Sequence, residues 1–283
     1  MEVLLCALQQ RLGIVSLNTI DGVTLEAKAM LDRAASAGDA VRDYDSGRLF
    51  HSDGNVAVIP IRGTLVHRFG WLDPMSGFTG YDGLARKLKD AMRDPGIHGI
   101  WLDIDSPGGA VSGLFAFCQE LAKSTLSEGG KPIYAYVNEQ ACSAAYAIAS
   151  VCDKVYGPED AMVGSIGCVI VHTSMARALD EHGLDVTVIR SADRKMRGNP
   201  YELLDDKTAE KLQTSVEETA LRFAELVSMG RDLSVEDALA LEADWFEGSE
   251  SVSLGLMDAV LSEGDAWSRM EEAADTYKRN RRA

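Results

Sequence analysis

Hydrophobic positions along the chain fall into two rhythms, and the switch between them occurs near Asn55. Before it, Met1–Leu17 reads as an apolar packing helix interrupted by Glu2 and Arg11. Between Asp21 and Gly47, Ala27, Met30, Leu31 and Ala34 recur at helical spacing. A Gly/Asp/Ser-rich passage then runs to Asn55. Beyond it, Val56-Ala57-Val58-Ile59-Pro60-Ile61 is an unbroken apolar run, as a strand buried on both faces requires. Tyr81–Met92 carries Leu84, Ala85, Leu88 and Met92 on one helical face. Strands are predicted at Gly99–Ile104, at Ile133–Val137, around Val155, at Ile166–Val171 and at Val186–Ile189. Helices are predicted up to Leu121 and from about Ser143. Asp206–Gly230 is the clearest helix: Asp205 or Asp206 caps it, Leu212, Val216, Ala220, Phe223 and Val227 form its apolar face, and Gly230 ends it. Strands alternating with helices predict an α/β fold with a largely parallel sheet. The division read from the pattern is a helical extension over 1–54, an α/β domain over 55–262 and a C-terminal tail over 263–283.

Charge narrows the function classes. The 283 residues carry a formal net charge of −16, so most of the surface repels phosphate backbones, and nucleic acid is not expected as a partner. The basic run Lys278-Arg279-Asn280-Arg281-Arg282 is read as a solvated terminus. Five cysteines (Cys6, Cys118, Cys142, Cys152 and Cys168) form no Cys-x-x-Cys pair, which fits reduced thiols better than disulfides or zinc. The histidines His51, His67, His98, His172 and His182 lack metal-ligand spacing, so neither metal nor cofactor is expected. No apolar run approaches the ~18 residues that span a bilayer, so no membrane association is expected.

Three loops, each after a predicted strand, hold the candidate chemistry. Asp105-Ser106-Pro107-Gly108-Gly109 is a turn whose backbone N–H groups can face a developing oxyanion; a plain strand-to-helix turn is the alternative. Cys142-Ser143-Ala144-Ala145-Tyr146 places a serine among small residues at a helix start, which suits a nucleophile and equally suits an N-cap. Arg190–Tyr201 is a polar loop bearing Arg194, Lys195 and Arg197, in which a lysine base or a solvated basic surface can be read. A serine hydroxyl needs a base, and a lysine serves only when desolvation or neighbouring cations lower its proton affinity.

Taken together and in order, Ser106-Pro107-Gly108-Gly109, Ser143-Ala144-Ala145-Tyr146, Gly164-Ser165-Ile166-Gly167 and Lys195 with Gly198-Asn199-Pro200-Tyr201 resemble the signal peptide peptidase-like serine peptidases, and within them the phage head-maturation proteases. The resemblance spans about Asn55 to Val260, with Trp245–Gly248 and Leu254–Asp258 matching the family's closing segment. It implies a Clp protease/crotonase-type fold of repeated ββα units assembled as a homo-oligomeric ring. Ser143 corresponds to the nucleophile and Lys195 to the base. Gly109 and Ala144, with Gly108 as substitute, are the implied oxyanion donors, and Gly164, Ser165 and Ile166 the stretch on which an extended peptide would pair. The cellular enzymes favour Ser-Gly-Gly-Tyr where this chain has Ser-Ala-Ala-Tyr, which favours the phage branch. The implied substrates are scaffold, portal or capsid proteins and the protease itself, cut inside a prohead in the bacterial cytoplasm. Some members continue into a scaffold extension after the region matching 263–283.

Other readings use the same residues. His172 would serve a Clp-type Ser–His–Asp peptidase, although it opens a helix start, where histidine is usually structural. Ser165 is a rival nucleophile. A cellular peptide-clearing peptidase, a crotonase-like acyl-CoA enzyme polarising a thioester at Gly108-Gly109, and a non-catalytic shell component complete the alternatives.

Overall fold

The computed structural model describes residues 49–69 and 77–281. The helices expected over Met1–Leu17 and Asp21–Gly47 therefore lie outside the described residues. In chain order the elements are β1 (His51–Asp53), β2 (Val56–Arg62), β3 (Thr64–Val66), β4 (Phe78–Gly80), α1 (Tyr81–Arg93), β5 (Gly99–Ser106), α2 (Leu114–Ala122), β6 (Ile133–Cys142), α3 (Ala144–Ser150), β7 (Lys154–Gly157), β8 (Met162–Gly164), α4 (Ala176–Glu181), α5 (Asp206–Gly230), α6 (Val235–Ala240), β9 (Trp245–Glu247), α7 (Gly248–Ser253), β10 (Ala259–Val260) and α8 (Glu263–Asn280). They fall into two compact units. The larger holds the described residues up to Gly167 and those from Ala220 onward; the smaller holds 168–219.

In the larger unit the main sheet runs β1-β2-β5-β6-β7-β10, with β8 joined to β6 and β9 joined to β8. Only β1 and β9 run antiparallel to their neighbours; the other pairings of this sheet are parallel. The centre is buried on both faces, which is why β2 reads as a continuous apolar run and β5 opens on Ile100-Trp101-Leu102. On one face, Leu84, Leu88 and Ala91 of α1 and Leu114, Phe117 and Leu121 of α2 pack with Ile59, Ile61, Leu102 and Ile104. On the other, Ala266, Met270 and Ala274 of α8 cover Val56, Trp101, Tyr136 and Tyr156. Trp101 stacks on Tyr136 at 5.3 Å and meets Trp267 edge-on at 5.1 Å. The stretch read as a tail thus includes a helix that covers sheet. Ser262 caps it by accepting from the Asp265 N–H at 3.2 Å.

The β6 strand positions the site. Its first half pairs with β7 and its last three residues with β8, so it extends beyond β7 and ends one residue before α3. In the smaller unit, α4 and the first part of α5 are helical, and α5 has the bounds its apolar face predicts. The strands expected at Ile166–Val171 and Val186–Ile189 do not form. Ile166 is buried, but Val169, Val171 and Ile189 are exposed, and no ladder runs through either segment. Apolar β-branched runs favour strand only where a partner strand supplies hydrogen bonds. The strand that does form here is β8, slightly earlier in the chain.

Candidate active site

Ser143 is the single residue between β6 and α3. Its backbone sits at φ 51°, ψ −124°, a conformation that residues other than glycine adopt only at a cost of ~1–3 kcal/mol. The Ser143 N–H donates to the Gly164 carbonyl at 2.9 Å, and the Ser143 carbonyl accepts from the Ala147 N–H at 3.0 Å. All of α3 behind it is buried. The Tyr146 hydroxyl, inside the core, donates to the Leu256 carbonyl at 3.0 Å and anchors the helix. Ser143 itself is half-buried, so the turn leaves its hydroxyl reachable while fixing its backbone. Burial pushes the neighbouring Cys142 thiol up, so it stays protonated and is a poor rival nucleophile.

The glycine turn lies against this elbow. Gly108 has φ +99°, and a Cβ there would stand 2.8 Å from the Ser143 Cβ and 2.9 Å from the Ala144 nitrogen. Buried Ser106 shapes the turn: its hydroxyl donates to the Gly63 carbonyl at 2.6 Å and accepts the Gly108 N–H at 3.1 Å. The Gly108 N–H is thereby occupied, which removes Gly108 as the substitute oxyanion donor. Gly109 forms a parallel bridge with Leu65, in which Leu65 donates to the Gly108 carbonyl and Ala110 to the Leu65 carbonyl, both at 2.8 Å. In that pattern the N–H of Gly109 itself points away from Leu65. The Ser143 N–H is also occupied, which leaves Ala144, at the first helical position with an N–H free of any intrahelical acceptor, and Gly109 as the available donors.

Lys195 lies in the smaller unit, on a turn closed by its own N–H donating to the Ala192 carbonyl at 2.9 Å, and it is exposed. The next residue, Met196, has φ 62°. Asn199 ties the turn down. Its amide donates to the Met196 carbonyl at 3.0 Å and to Glu202 at 2.6 Å, and its side-chain oxygen accepts the Tyr201 N–H at 2.9 Å. Glu202 also pairs with Arg190, and bonds from Arg190 and Asn199 hold its carboxyl below the usual range. In the sequence Asn199 is one residue of the Gly198-Asn199-Pro200-Tyr201 motif with no role of its own; the structure makes it the anchor of the lysine loop. His172 is engaged here as well, with Nε2 3.3 Å from the Asn199 carbonyl. It therefore serves the loop that carries the lysine.

The family model described as peptidase family S49 matches residues 125–276, more than half of the chain. The chain belongs to peptidase family S49. The match includes Ser143 and Lys195 and begins after the Ser106–Gly109 turn. Among relatives, capsid assembly protease C of Escherichia phage lambda is 37% identical over 98% of this chain and 62% of its own length. The head-tail preconnector protein GP5 of Enterobacteria phage P21 is 36% identical over 98% of this chain and 55% of its own. The chain thus spans about six-tenths of the phage relatives it matches. A solved structure, the 1510-N membrane protease specific for a stomatin homolog from Pyrococcus horikoshii, is 13% identical, covers 77% of this chain and 79% of its own, and superposes with a TM-score of 0.45. Among the described residues, no helix is long and apolar enough to cross a membrane.

Within this S49 chain the expected peptide-binding stretch is not an open edge. β8 is paired on both sides, by β6 and by β9, so Gly164 has no free side for an extended substrate. Ser165 donates its N–H to the Asp244 carbonyl at 2.7 Å, and Ile166 is 3% exposed, part of the core. Ser165 also has no helix behind it to supply the N–H pair that a nucleophile needs. Beside the Leu65 bridge, Gly109 and Val111 are exposed; the outer N–H and carbonyl of Gly109 face away from Leu65, while the Val111 carbonyl accepts the Leu114 N–H at 3.1 Å. No residue-type signal distinguishes that edge; it follows only from the Leu65 bridge.

Proposed function

We propose that the chain is a serine endopeptidase in which Ser143 is the nucleophile and Lys195 the general base, and that it processes head proteins during phage capsid assembly. The carrying observation is the strained elbow at Ser143, packed against Gly108 and followed by the unbonded Ala144 N–H. Such strand-to-helix turns expose a serine hydroxyl beside fresh helical N–H groups. In this reading the Ser143 Oγ attacks the scissile carbonyl carbon while the Lys195 Nζ, as neutral amine, takes the hydroxyl proton. The oxyanion receives hydrogen bonds from Ala144 and Gly109, each such donor contributing about 10²–10³ to the rate. Collapse transfers the proton from the ammonium to the leaving amine, and water then hydrolyses the acyl-serine by the same route. A substrate strand paired on the outer side of Gly109 would bring its carbonyl to these donors.

The substrate class rests on the phage relatives, one a capsid assembly protease and one a head-tail preconnector protein. Scaffold protein is the primary candidate, with portal or capsid proteins and the chain itself as further ones. The site of action is the interior of a prohead in the bacterial cytoplasm, and the active form is a homo-oligomeric ring. Co-expression with the scaffold of the same phage tests the reading. Wild type and His172→Ala should cleave it; Ser143→Ala, Lys195→Ala and Lys195→Arg should not, because a guanidinium does not surrender its proton. Cleavage by Lys195→Arg would remove the lysine as the base; loss in His172→Ala together with cleavage by Lys195→Ala would put the histidine in its place.

A further inference from the structure

Among the described residues, five other than glycine have positive φ: Ser143, Ser165, Met196, Glu242 and Ala243. Four of them belong to one hydrogen-bonded patch. Glu242 and Ala243, at φ 52° and 60°, form consecutive left-handed residues in the turn between α6 and β9, closed by Asp244 donating to the Leu241 carbonyl at 3.0 Å. Both are exposed, so neither side chain buries surface that would offset an unfavourable backbone. What the conformation does is aim the Asp244 carbonyl at the Ser165 N–H, 2.7 Å away. That N–H belongs to the same peptide group as the Gly164 carbonyl, which accepts the Ser143 N–H at 2.9 Å. One peptide plane therefore links the strap to the elbow, and polarisation along such a chain strengthens both bonds. Gly164 must be glycine here: it has φ +121°, and a Cβ would stand 2.7 Å from the Asp244 carbonyl.

We propose that the strap Leu241–Trp245 positions the nucleophile, with Ala243 and Asp244 acting through the Gly164–Ser165 peptide to hold the Ser143 backbone. This rests on the reading of Ser143 as nucleophile. With its N–H held by Gly164, Ser143 keeps the strained turn that directs Oγ outward, and only Ala144 and Gly109 face the oxyanion. If the strap shifts, the 164–165 peptide loses its outer acceptor and rotates, the Ser143 N–H is released, and the hydroxyl turns off line. Strain retained without packing in return is expected where geometry serves chemistry.

Gly167 offers the lever. Its φ is not in the left-handed region, and a Cβ added there would meet chiefly the Ala243 Cβ, at 2.6 Å. Gly167→Ala should push the strap, and Ala243→Gly in the same chain should remove the obstruction. The probe is a fluorophosphonate reacting with the full chain, followed as rate and as final extent of Ser143 labelling, with thermal melting alongside. Gly167→Ala should lower kinact about 10–100-fold with the inhibitor KI and the final extent unchanged, and the double variant should return to within about threefold of wild type. A merely structural role would lower the final extent and leave kinact of the folded fraction intact, and that result overturns the proposal. So does wild-type kinact in Gly167→Ala, or a loss that Ala243→Gly does not restore. No label on Ser143 in the wild-type protein overturns the nucleophile reading, and the strap with it.

Discussion

Gly108 and Gly109 are neighbours with opposite duties. A Cβ on Gly108 would point into the elbow, 2.7 Å from the Cys142 carbonyl and 2.8 Å from the Ser143 Cβ, at a φ of +99°. A Cβ on Gly109 would instead strike the Leu65 carbonyl at 2.0 Å and break the bridge that aligns the turn. Gly108→Ala is therefore expected to lower fluorophosphonate labelling of Ser143 by at least about 10²-fold, because a 1 Å displacement of reacting groups costs that much. Gly109→Ala should lower the melting temperature more than Gly108→Ala does, because it opens the β3 bridge. Parallel melts and labelling of the two variants check both statements. The sequence shows the turn and, through the family resemblance, ranks Gly109 as N–H donor ahead of Gly108 as its substitute. Residue type cannot separate them; the partner of each N–H does. The same limit hides Asp244, which acts through a main-chain carbonyl that any residue would supply. The proposed role of Ser143 rests on its side chain, which residue type does reveal.

At the scale of elements, most of the sheet and its helices were readable because burial on both faces leaves a continuous apolar signature, as in β2. The expected strands at Ile166–Val171 and Val186–Ile189 failed for the complementary reason. Their apolar residues satisfy the pattern, but a ladder needs a partner that composition does not reveal. A buried polar feature in the connection before β6 was also invisible. Lys131 is 4% exposed, and its Nζ lies 2.8 Å from the Ala91 and Asp94 carbonyls at the end of α1. Burial pulls its pKa down from 10.5 to about 8. Two carbonyls can still be satisfied by a neutral amine, which keeps two donors. The folded-state pKa lies below the unfolded one, so the unfolded chain binds the proton more tightly between those values, and stability rises with pH across that window. Wild type should therefore gain on Lys131→Met as pH increases from about 8 to 10.5 and show no pH-dependent difference below about 7, measured by denaturant titration. A difference that shrinks over that range would mean that the buried amine is charged.

At the scale of the whole molecule, an acidic chain carries one strongly basic loop. The formal charge is −16, yet Arg190, Arg194, Lys195 and Arg197 stand within eight residues that include one acid, Asp193. A base on such a loop must lose its water before it can accept a proton, and Lys195 is exposed in the single chain. An acidic neighbouring copy would attract the loop, and docking would exclude solvent around the lysine. Activity would then depend on assembly, which keeps a peptidase silent until it is concentrated. The prediction is that Lys195 serves the Ser143 of a neighbouring copy. Ser143→Ala and Lys195→Ala protomers, each inactive alone, should regain up to about a quarter of wild-type activity when co-assembled at equal ratio, the fraction of interfaces that then pair an intact serine with an intact lysine. Specific activity of the wild type should fall on dilution, and salt should shift that midpoint upward, because screening weakens attraction between loop and acidic surface. Mixed assemblies verified by mass that show no recovery would place both groups in one chain, and the dilution series would then report ring stability alone.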